Sequence, residues 1–277
     1  MRFIAELCQN HNGDLKLLEQ MIREASQFAD IVKIQTILAD TLTYREEYED
    51  FRPYERESLR LQKLELSEED EQFFIEKCKE YGVEPMTTLF SKNQIDRFNR
   101  LGYKKLKISG YSMHKFDHGL ALKDINFEEL FFSTSSMTLE EIGLTIKNLK
   151  DLNIKFTMLQ CTCIYPTPLD KLNLFNIPFY KSYFNLEQVG FSDHTNPYDD
   201  SLIPTKQAIF MGADVVERHF TSLDSHKTRD GKVSITDIMG LMLKEFSELS
   251  KEHQYKELNP FTKEQKFNHA FYRGRFK

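Results

Sequence analysis

Two histidines stand where two short apolar runs stop. Val189-Gly190-Phe191 leads into Ser192-Asp193-His194-Thr195, and Ala213-Asp214-Val215-Val216 leads into Glu217-Arg218-His219-Phe220. About a helix's length of chain lies between them. Imidazoles carried on neighbouring strand ends could share a divalent cation, with a carboxylate and water completing the shell. Glu6, near the end of the first apolar run, is the first candidate for that carboxylate and Glu217 the second. Asn10-His11-Asn12-Gly13 follows, and His11 could either meet a ligand or hold its own loop.

The same habit recurs along the chain. Apolar runs end in Lys33 and Gln35, in Thr87 and Thr88, in Lys107 and Ser109, in Ser133 and Thr134, and in Gln160, Thr162 and Tyr165. Two lysines with the hydroxyls of Ser109, Ser133, Thr134 and Ser192 suit a phosphate and a carboxylate. Walker-type glycine loops and Gly-x-Ser-x-Gly elbows are absent from the sequence, which argues against nucleotide phosphoryl transfer and serine hydrolysis.

Such residues need elements to carry them. Candidate strands are Phe3–Leu7, Ile31–Gln35, Glu84–Thr88, Lys105–Ser109, Leu130–Thr134, Lys155–Gln160, Gln188–Ser192 and Ala213–Arg218. Between them lie helical patterns at Leu15–Phe28, Ser67–Tyr81, Lys92–Leu101, Leu139–Leu152 and Leu202–Met211. Leu139, Ile142, Ile146 and Leu149 keep the helical period. Eight alternating units in about 240 residues predict an α/β fold of the (β/α)8 TIM-barrel type, with an open doubly wound sheet as the rival. Strand ends then converge on one mouth, where a barrel does its chemistry. Residues 40–66 interrupt the rhythm after the second strand, so they fall on the mouth side and could form a lid. The expected division is a barrel over 1–250 and a tail over 251–277.

Composition narrows the class. The 277 residues are 40% hydrophobic and 29% charged, with a net charge of −6, so no nucleic-acid surface is expected. No apolar run is long enough to cross a membrane, and the N-terminus enters a strand at once, so a cytoplasmic protein is expected. The four cysteines, Cys8, Cys78, Cys161 and Cys163, lack metal-motif spacing and read as reduced thiols. Cys161 and Cys163 would share a strand face.

Several stretches together carry a resemblance. They are Ile4-Ala5-Glu6 with Asn10-His11-Asn12-Gly13-Asp14, Val32-Lys33-Ile34-Gln35-Thr36, Gln160-Cys161-Thr162 with Tyr165-Pro166-Thr167-Pro168, Gly190-Phe191-Ser192-Asp193-His194-Thr195, and Glu217-Arg218-His219-Phe220-Thr221. In order and spacing, from about residue 3 to 240, the chain resembles the sialic acid synthase family. That family includes the N-acetylneuraminate, legionaminate and pseudaminate synthases. The resemblance implies a barrel that condenses phosphoenolpyruvate with an N-acylated amino sugar, using a divalent metal, Mn2+ first, with Mg2+ or Co2+ as alternatives. By matching motif, Glu6, Lys33 and His194 would be catalytic, and His194 and His219 would bind the metal. Gln35, Thr88, Lys107, Ser109, Ser133, Tyr165, Ser192 and Asp230 would bind substrate. Barrels of this kind often form a homodimer, but the sequence carries no interface signal.

The chain also departs from the family. The family's Lys-Ile-Gly-Ser-Gly-Glu reads Lys107-Ile108-Ser109-Gly110-Tyr111-Ser112, and an Asn that lines the small-molecule site is Cys163. Ser-Thr-Pro-Phe reads Thr87-Thr88-Leu89-Phe90, and Ser-Thr-Gly-Met reads Ser133-Thr134-Ser135-Ser136-Met137. These changes fall at the expected pocket and suggest a non-standard acceptor sugar. Family members usually continue into an antifreeze-like domain that lends the partner's site an arginine, and this chain is expected to lack it. Other readings are a synthase of shorter keto-deoxy acids and a catalytically silent homologue.

Overall fold

Eight parallel strands close on themselves. In the computed structural model, which describes residues 1–253 and 263–274, they are β1 (Arg2–Cys8), β2 (Ile31–Gln35), β3 (Glu84–Leu89), β4 (Lys105–Ile108), β5 (Glu129–Ser133), β6 (Phe156–Cys161), β7 (Val189–Asp193) and β8 (Val215–Phe220). Each pairs with the next, and β1 also pairs with β8, so the barrel has no free edge. A two-residue strand, β9 (Ser234–Ile235), extends the sheet beside the end of β8. All eight expected strands are present, with ends that agree to within two residues. The closed order excludes the open doubly wound sheet.

Helices lie between and after the strands. They are α1 (Leu15–Ala25), α2 (Tyr54–Leu64), α3 (Glu68–Glu80), α4 (Ile95–Leu101), α5 (Gly110–Met113), α6 (Leu139–Asp151), α7 (Asn176–Tyr183), α8 (Pro197–Asp200), α9 (Ile203–Phe210), α10 (Asp237–His253) and α11 (Lys263–Gly274). Their starts follow local chemistry. Asp14 caps α1, and Ser67 with Asp70 and Thr138 with Glu141 form reciprocal capping boxes at α3 and α6. Ile142, Ile146 and Leu149 of α6 are buried as the period required, while Leu139 at its first turn is exposed. The expected helix from Leu15 to Phe28 ends at Ala25, and a turn carries the chain on to β2.

Both faces of each strand are apolar over most of their length, as in other parallel sheets. The outward faces join the helices in the main core. The inward faces stack in layers. Ile4, Ile31, Met86, Phe131, Leu159 and Val215 form a separate apolar cluster inside the barrel. Gly190 belongs to this level, since a Cβ there would come within 2.4 Å of the Leu159 side chain. Below this layer, Glu129 takes two bonds from the Arg2 guanidinium, at 2.7 and 2.8 Å, and one from Lys105 at 3.2 Å. Burial alone would raise the Glu129 carboxyl, but the three donors bring it down to about 2. Above the apolar layer, the inward positions are polar.

Residues 40–66 are not a featureless loop. They contain two short 3-10 turns and α2, and no side chain of α2 is buried. Thr41, Arg45, Arg52, Glu57 and Arg60 of this segment line one cavity together with strand-end residues such as Lys33 and Glu217. The end of the expected tail, residues 254–262 and 275–277, lies outside the described residues, Pro260 and Arg275 included.

Candidate active site

Counting by twos along each strand builds the site. β1 points Arg2, Ile4 and Glu6 inward, β2 points Ile31 and Lys33, and β8 points Val215, Glu217 and His219. Glu6 lies opposite Lys33 on one side and His219 on the other. Thr88 lies opposite Lys107. One level above the apolar layer, therefore, a ring of polar side chains is fixed by register alone.

Glu217 is the hub of that ring. Its carboxylate takes two bonds from Lys107, at 2.7 and 2.9 Å, and one from the Ser192 hydroxyl at 2.8 Å. Lys33 lies 3.6 Å away on its other side. The Lys33 ammonium is ion-paired to Glu6 and donates to the Thr88 hydroxyl at 3.0 Å. All these groups are buried. Desolvation acts first on Lys33 and, with the neighbouring Lys107 charge, brings its ammonium down to about 7 against the pull of Glu217. For Glu217, desolvation opposes ionisation, but the two lysines win and hold the carboxyl well below its usual range. The expectation for Glu6 changes here. Register sets its carboxylate against Lys33 and the Cys8 N–H, at 2.7 Å for the latter, and the carboxylate beside His219 is Asp230.

The two histidines do come together. Their ring centroids are 5.2 Å apart, and the Tyr165 ring covers both, at 4.4 Å from His194 and 6.2 Å from His219. Burial drives both imidazoles toward the neutral form, His194 to about 3 with His219 adding to the effect. Neutral imidazole is the metal-binding form. The Nδ1 atom of His219 is buried without a hydrogen-bond partner. Cys8, His219 and Asp230 bring one ligand atom each to within 4.8 Å of one another, a set that could hold a metal ion. His194 stands beside this set, with Nδ1 3.7 Å from the Cys161 sulfur.

The remaining candidates divide by the direction they face. Gln35, Ser109, Ser133, Tyr165, Ser192 and Asp230 line one cavity of about 770 Å3 with Glu6, Thr88 and the two histidines. Ser133 accepts from the Gly110 N–H at 3.1 Å, and a Cβ on Gly110 would strike the Ser135 carbonyl. Other strand-end residues point outward. Thr87 bonds Thr36, Thr134 bonds Gln160, and Asp193 pairs with Arg218. Thr162 bonds the Lys171 carbonyl. Cys161 and Cys163 do not share a strand face, because β6 ends at Cys161, and Cys163 is exposed.

Asn10-His11-Asn12-Gly13 is a latch. The Asn10 amide donates to the Phe220 carbonyl at 2.9 Å and to Ser234 at 3.0 Å, tying the β1 loop to β8 and β9. His11 accepts from the Gly13 N–H at 3.1 Å, and burial takes it down to about 4. Gly13, at φ +77°, passes so close to Lys63 that a Cβ would lie 2.6 Å from its carbonyl oxygen.

Against this geometry, the comparisons with known proteins agree. The NeuB family profile matches residues 21–257. The N,N'-diacetyllegionaminic acid synthase of Legionella pneumophila is 36% identical over 232 residues, which is 79% of this chain and 63% of that one. The chain belongs to the NeuB family. A pseudaminic acid synthase of Campylobacter jejuni is 29% identical over 249 residues, covering 84% of this chain and 68% of its own. The chain thus spans less than two thirds of the Legionella relative's length. Among solved structures, the N-acetylneuraminic acid synthetase of Leptospira borgpetersenii, in complex with citrate, superposes with a TM-score of 0.83 at 23% identity, over 99% of this chain and 91% of that one. At that identity the likeness speaks to the fold, and the fold is the expected barrel.

Within this NeuB-family barrel, three features escaped the sequence reading. Glu217 was weighed only as a metal carboxylate, although it lies two residues before His219 and so shares its face. Cys8 follows Glu6 by two in the same way. Arg229 lines the mouth with Arg60 of the segment expected as a lid, and Arg229 gave no signal, because the loop after β8 looks like ordinary charged surface. Arg60 and Arg229 both reach Glu57, at 3.0 and 3.3 Å, and Arg60 also bonds Gln9. Among the described residues, no helix is long and apolar enough to cross a membrane.

Proposed function

We propose that the barrel condenses phosphoenolpyruvate with an N-acylated amino sugar, giving a nonulosonic 2-keto-3-deoxy acid and inorganic phosphate. One observation carries the reading. The chain's net charge is −6, yet seven lysine and arginine side chains line the cavity against four carboxylates. Such a mouth draws and holds a small polyanion.

In this reaction the methylene carbon of phosphoenolpyruvate bonds to the sugar's aldehyde carbon. A cation is left at the phosphate-bearing carbon, water adds there and loses a proton, and the hemiketal phosphate expels phosphate to leave the keto group. Lys33, Lys107, Ser133 and Ser192 hold the carboxylate and phosphate in register, a positioning role. Glu6 is ion-paired with the Lys33 ammonium, which titrates near neutrality; the ammonium gives its proton to the sugar's new hydroxyl, and the pair regains one from the water that adds. The partnerless His219 nitrogen and the Cys8 and Asp230 donors suit a divalent cation. Such an ion, when bound, polarises a carbonyl oxygen as a Lewis acid.

The test is phosphate release from phosphoenolpyruvate with a divalent cation and a panel of sugars. Release is expected only with amino sugars, and di-N-acylated deoxy sugars are expected ahead of N-acetylmannosamine. Cys163 and Tyr111 stand at the altered pocket positions and line the cavity, and a lost polar contact there shifts selectivity by about 1–3 kcal/mol. Release with short aldose phosphates alone, or with no sugar at all, would overturn the reading.

The arginines of residues 40–66 supply the sugar side of the mouth. Arg60→Ala is expected to raise KM for the sugar by roughly 10- to 100-fold, the worth of one charge-assisted bond, with little change for phosphoenolpyruvate. Equal effects on both substrates would remove the lid role.

A further inference from the structure

The end of β1 departs from economical backbone design. Cys8 sits at φ +50°, in the left-handed region where glycine is at ease and a side chain is strained. Its thiol is nonetheless buried and aimed across the barrel mouth, with the sulfur 3.0 Å from the Asp230 carboxylate. β1 and β8 are neighbours in the barrel, so the His219 ring, only 6% exposed, lies beside both groups. Its Nδ1 has no partner among the described residues. Three ligand atoms of three chemical types therefore converge, one of them unsatisfied.

We propose that Cys8, His219 and Asp230 form a three-ligand cation site in which Cys8 binds as a thiolate, so the site takes Zn2+, Co2+ or Fe2+ in preference to Mg2+. Thiolate and imidazole together favour these softer ions, and three protein ligands leave a fourth position open to the cavity. On binding, the S–H bond of Cys8 breaks. The sulfur lone pair goes to the cation and the proton to bulk water. The thiolate and the Asp230 carboxylate then balance the ion's two positive charges, and nothing is oxidised or reduced. His194 lies next to His219 and beside the rival thiol of Cys161.

The inference deepens the proposed function by naming what holds its cation, and it can be tested without turnover. Co2+ is titrated into the metal-free full chain and followed by absorption. Wild type is expected to show a sulfur-to-cobalt charge-transfer band in the near ultraviolet along with visible ligand-field bands. Cys8→Gly should lose the charge-transfer band, and its Co2+ affinity should drop by more than the roughly 10- to 100-fold that loss of an outer-shell partner costs. Glycine suits the backbone at this position, so failure to fold would not confound the result. Cys8→Ser serves as a second variant. Cys161→Ser and Cys163→Ser should keep the band. Co2+ bound without a charge-transfer band in wild type, a band that survives in Cys8→Gly, or a band lost only in Cys161→Ser would each overturn the proposal. Phosphate release is measured in parallel on wild type. A band without release leaves the site intact and defeats the functional reading, whereas release without a band does the reverse.

Discussion

Asp193→Ala should cost about 3–5 kcal/mol of folding stability, the penalty for stranding a buried guanidinium. Asp193 and Arg218 are 0% and 2% exposed, with nitrogen and oxygen 2.6 Å apart. Asp193 also accepts from the Thr205 hydroxyl at 2.6 Å and the Thr195 N–H at 2.9 Å, and Arg218 donates to the Thr195 hydroxyl and carbonyl. The cluster joins β7, β8 and α9 on the outside of the barrel. Asp193 lies between Ser192 and His194, and Arg218 lies between Glu217 and His219. The outer pair therefore fixes the rotation of both strands on which the inner site depends. Desolvation raises the Asp193 carboxyl, but Arg218 and the threonines outweigh it and the net shift is downward. A depressed folded-state pKa gives stability that is present at neutral pH and lost as pH falls through and below the usual carboxylate value near 4. Urea midpoints of wild type and Asp193→Ala at pH 7 and about pH 3 provide the check. A difference under about 1 kcal/mol at pH 7, or a gap that does not narrow in acid, would sink the account.

Glu217→Gln should be nearly as severe, for a different reason. Two buried ammonium groups, Lys33 and Lys107, lean on this one carboxylate. An amide keeps the shape and removes the charge. The expected loss is again on the order of 3–5 kcal/mol, a fall in Tm of roughly 6–20 °C at this chain length. What distinguishes it from an ordinary core lesion is rescue. Phosphoenolpyruvate or inorganic phosphate should raise the variant's Tm more than it raises the wild type's, because the anion supplies the missing counter-charge. Thermal melts with and without each anion decide the matter. Equal shifts in both proteins would show that Glu217 is structural and not part of an anion site.

The barrel was readable because apolar strand runs recur from β1 to β8 and helical periods fill most of the gaps between them. The two histidines were readable for the same reason: each follows an apolar run directly. What could not be read was which face each strand turns inward. In a sheet covered on both sides, Ile4 and Ala5, or Val215 and Val216, are apolar alike, so no alternation tells inside from outside. Asp193 and His194 therefore looked equivalent, as did Thr87 and Thr88. Closure settles it, since only one register sets Glu6 against both Lys33 and His219. The meeting of Cys8 with Asp230 was hidden in another way. The two come from the last residue of the first strand and from a loop after the last strand, far apart in sequence and adjacent only because the barrel closes.

The apolar layer formed by Ile4, Ile31, Met86, Phe131, Leu159 and Val215 has a consequence for proton traffic. It offers no hydroxyl, carboxylate or amide side chain that could pass a proton from the Arg2–Glu129 end of the barrel to Glu6 and Lys33. Glu6 and Lys33 line the mouth-side cavity, so solvent exchanges protons with that pair through the mouth. A ligand that fills the mouth would separate the pair from that solvent.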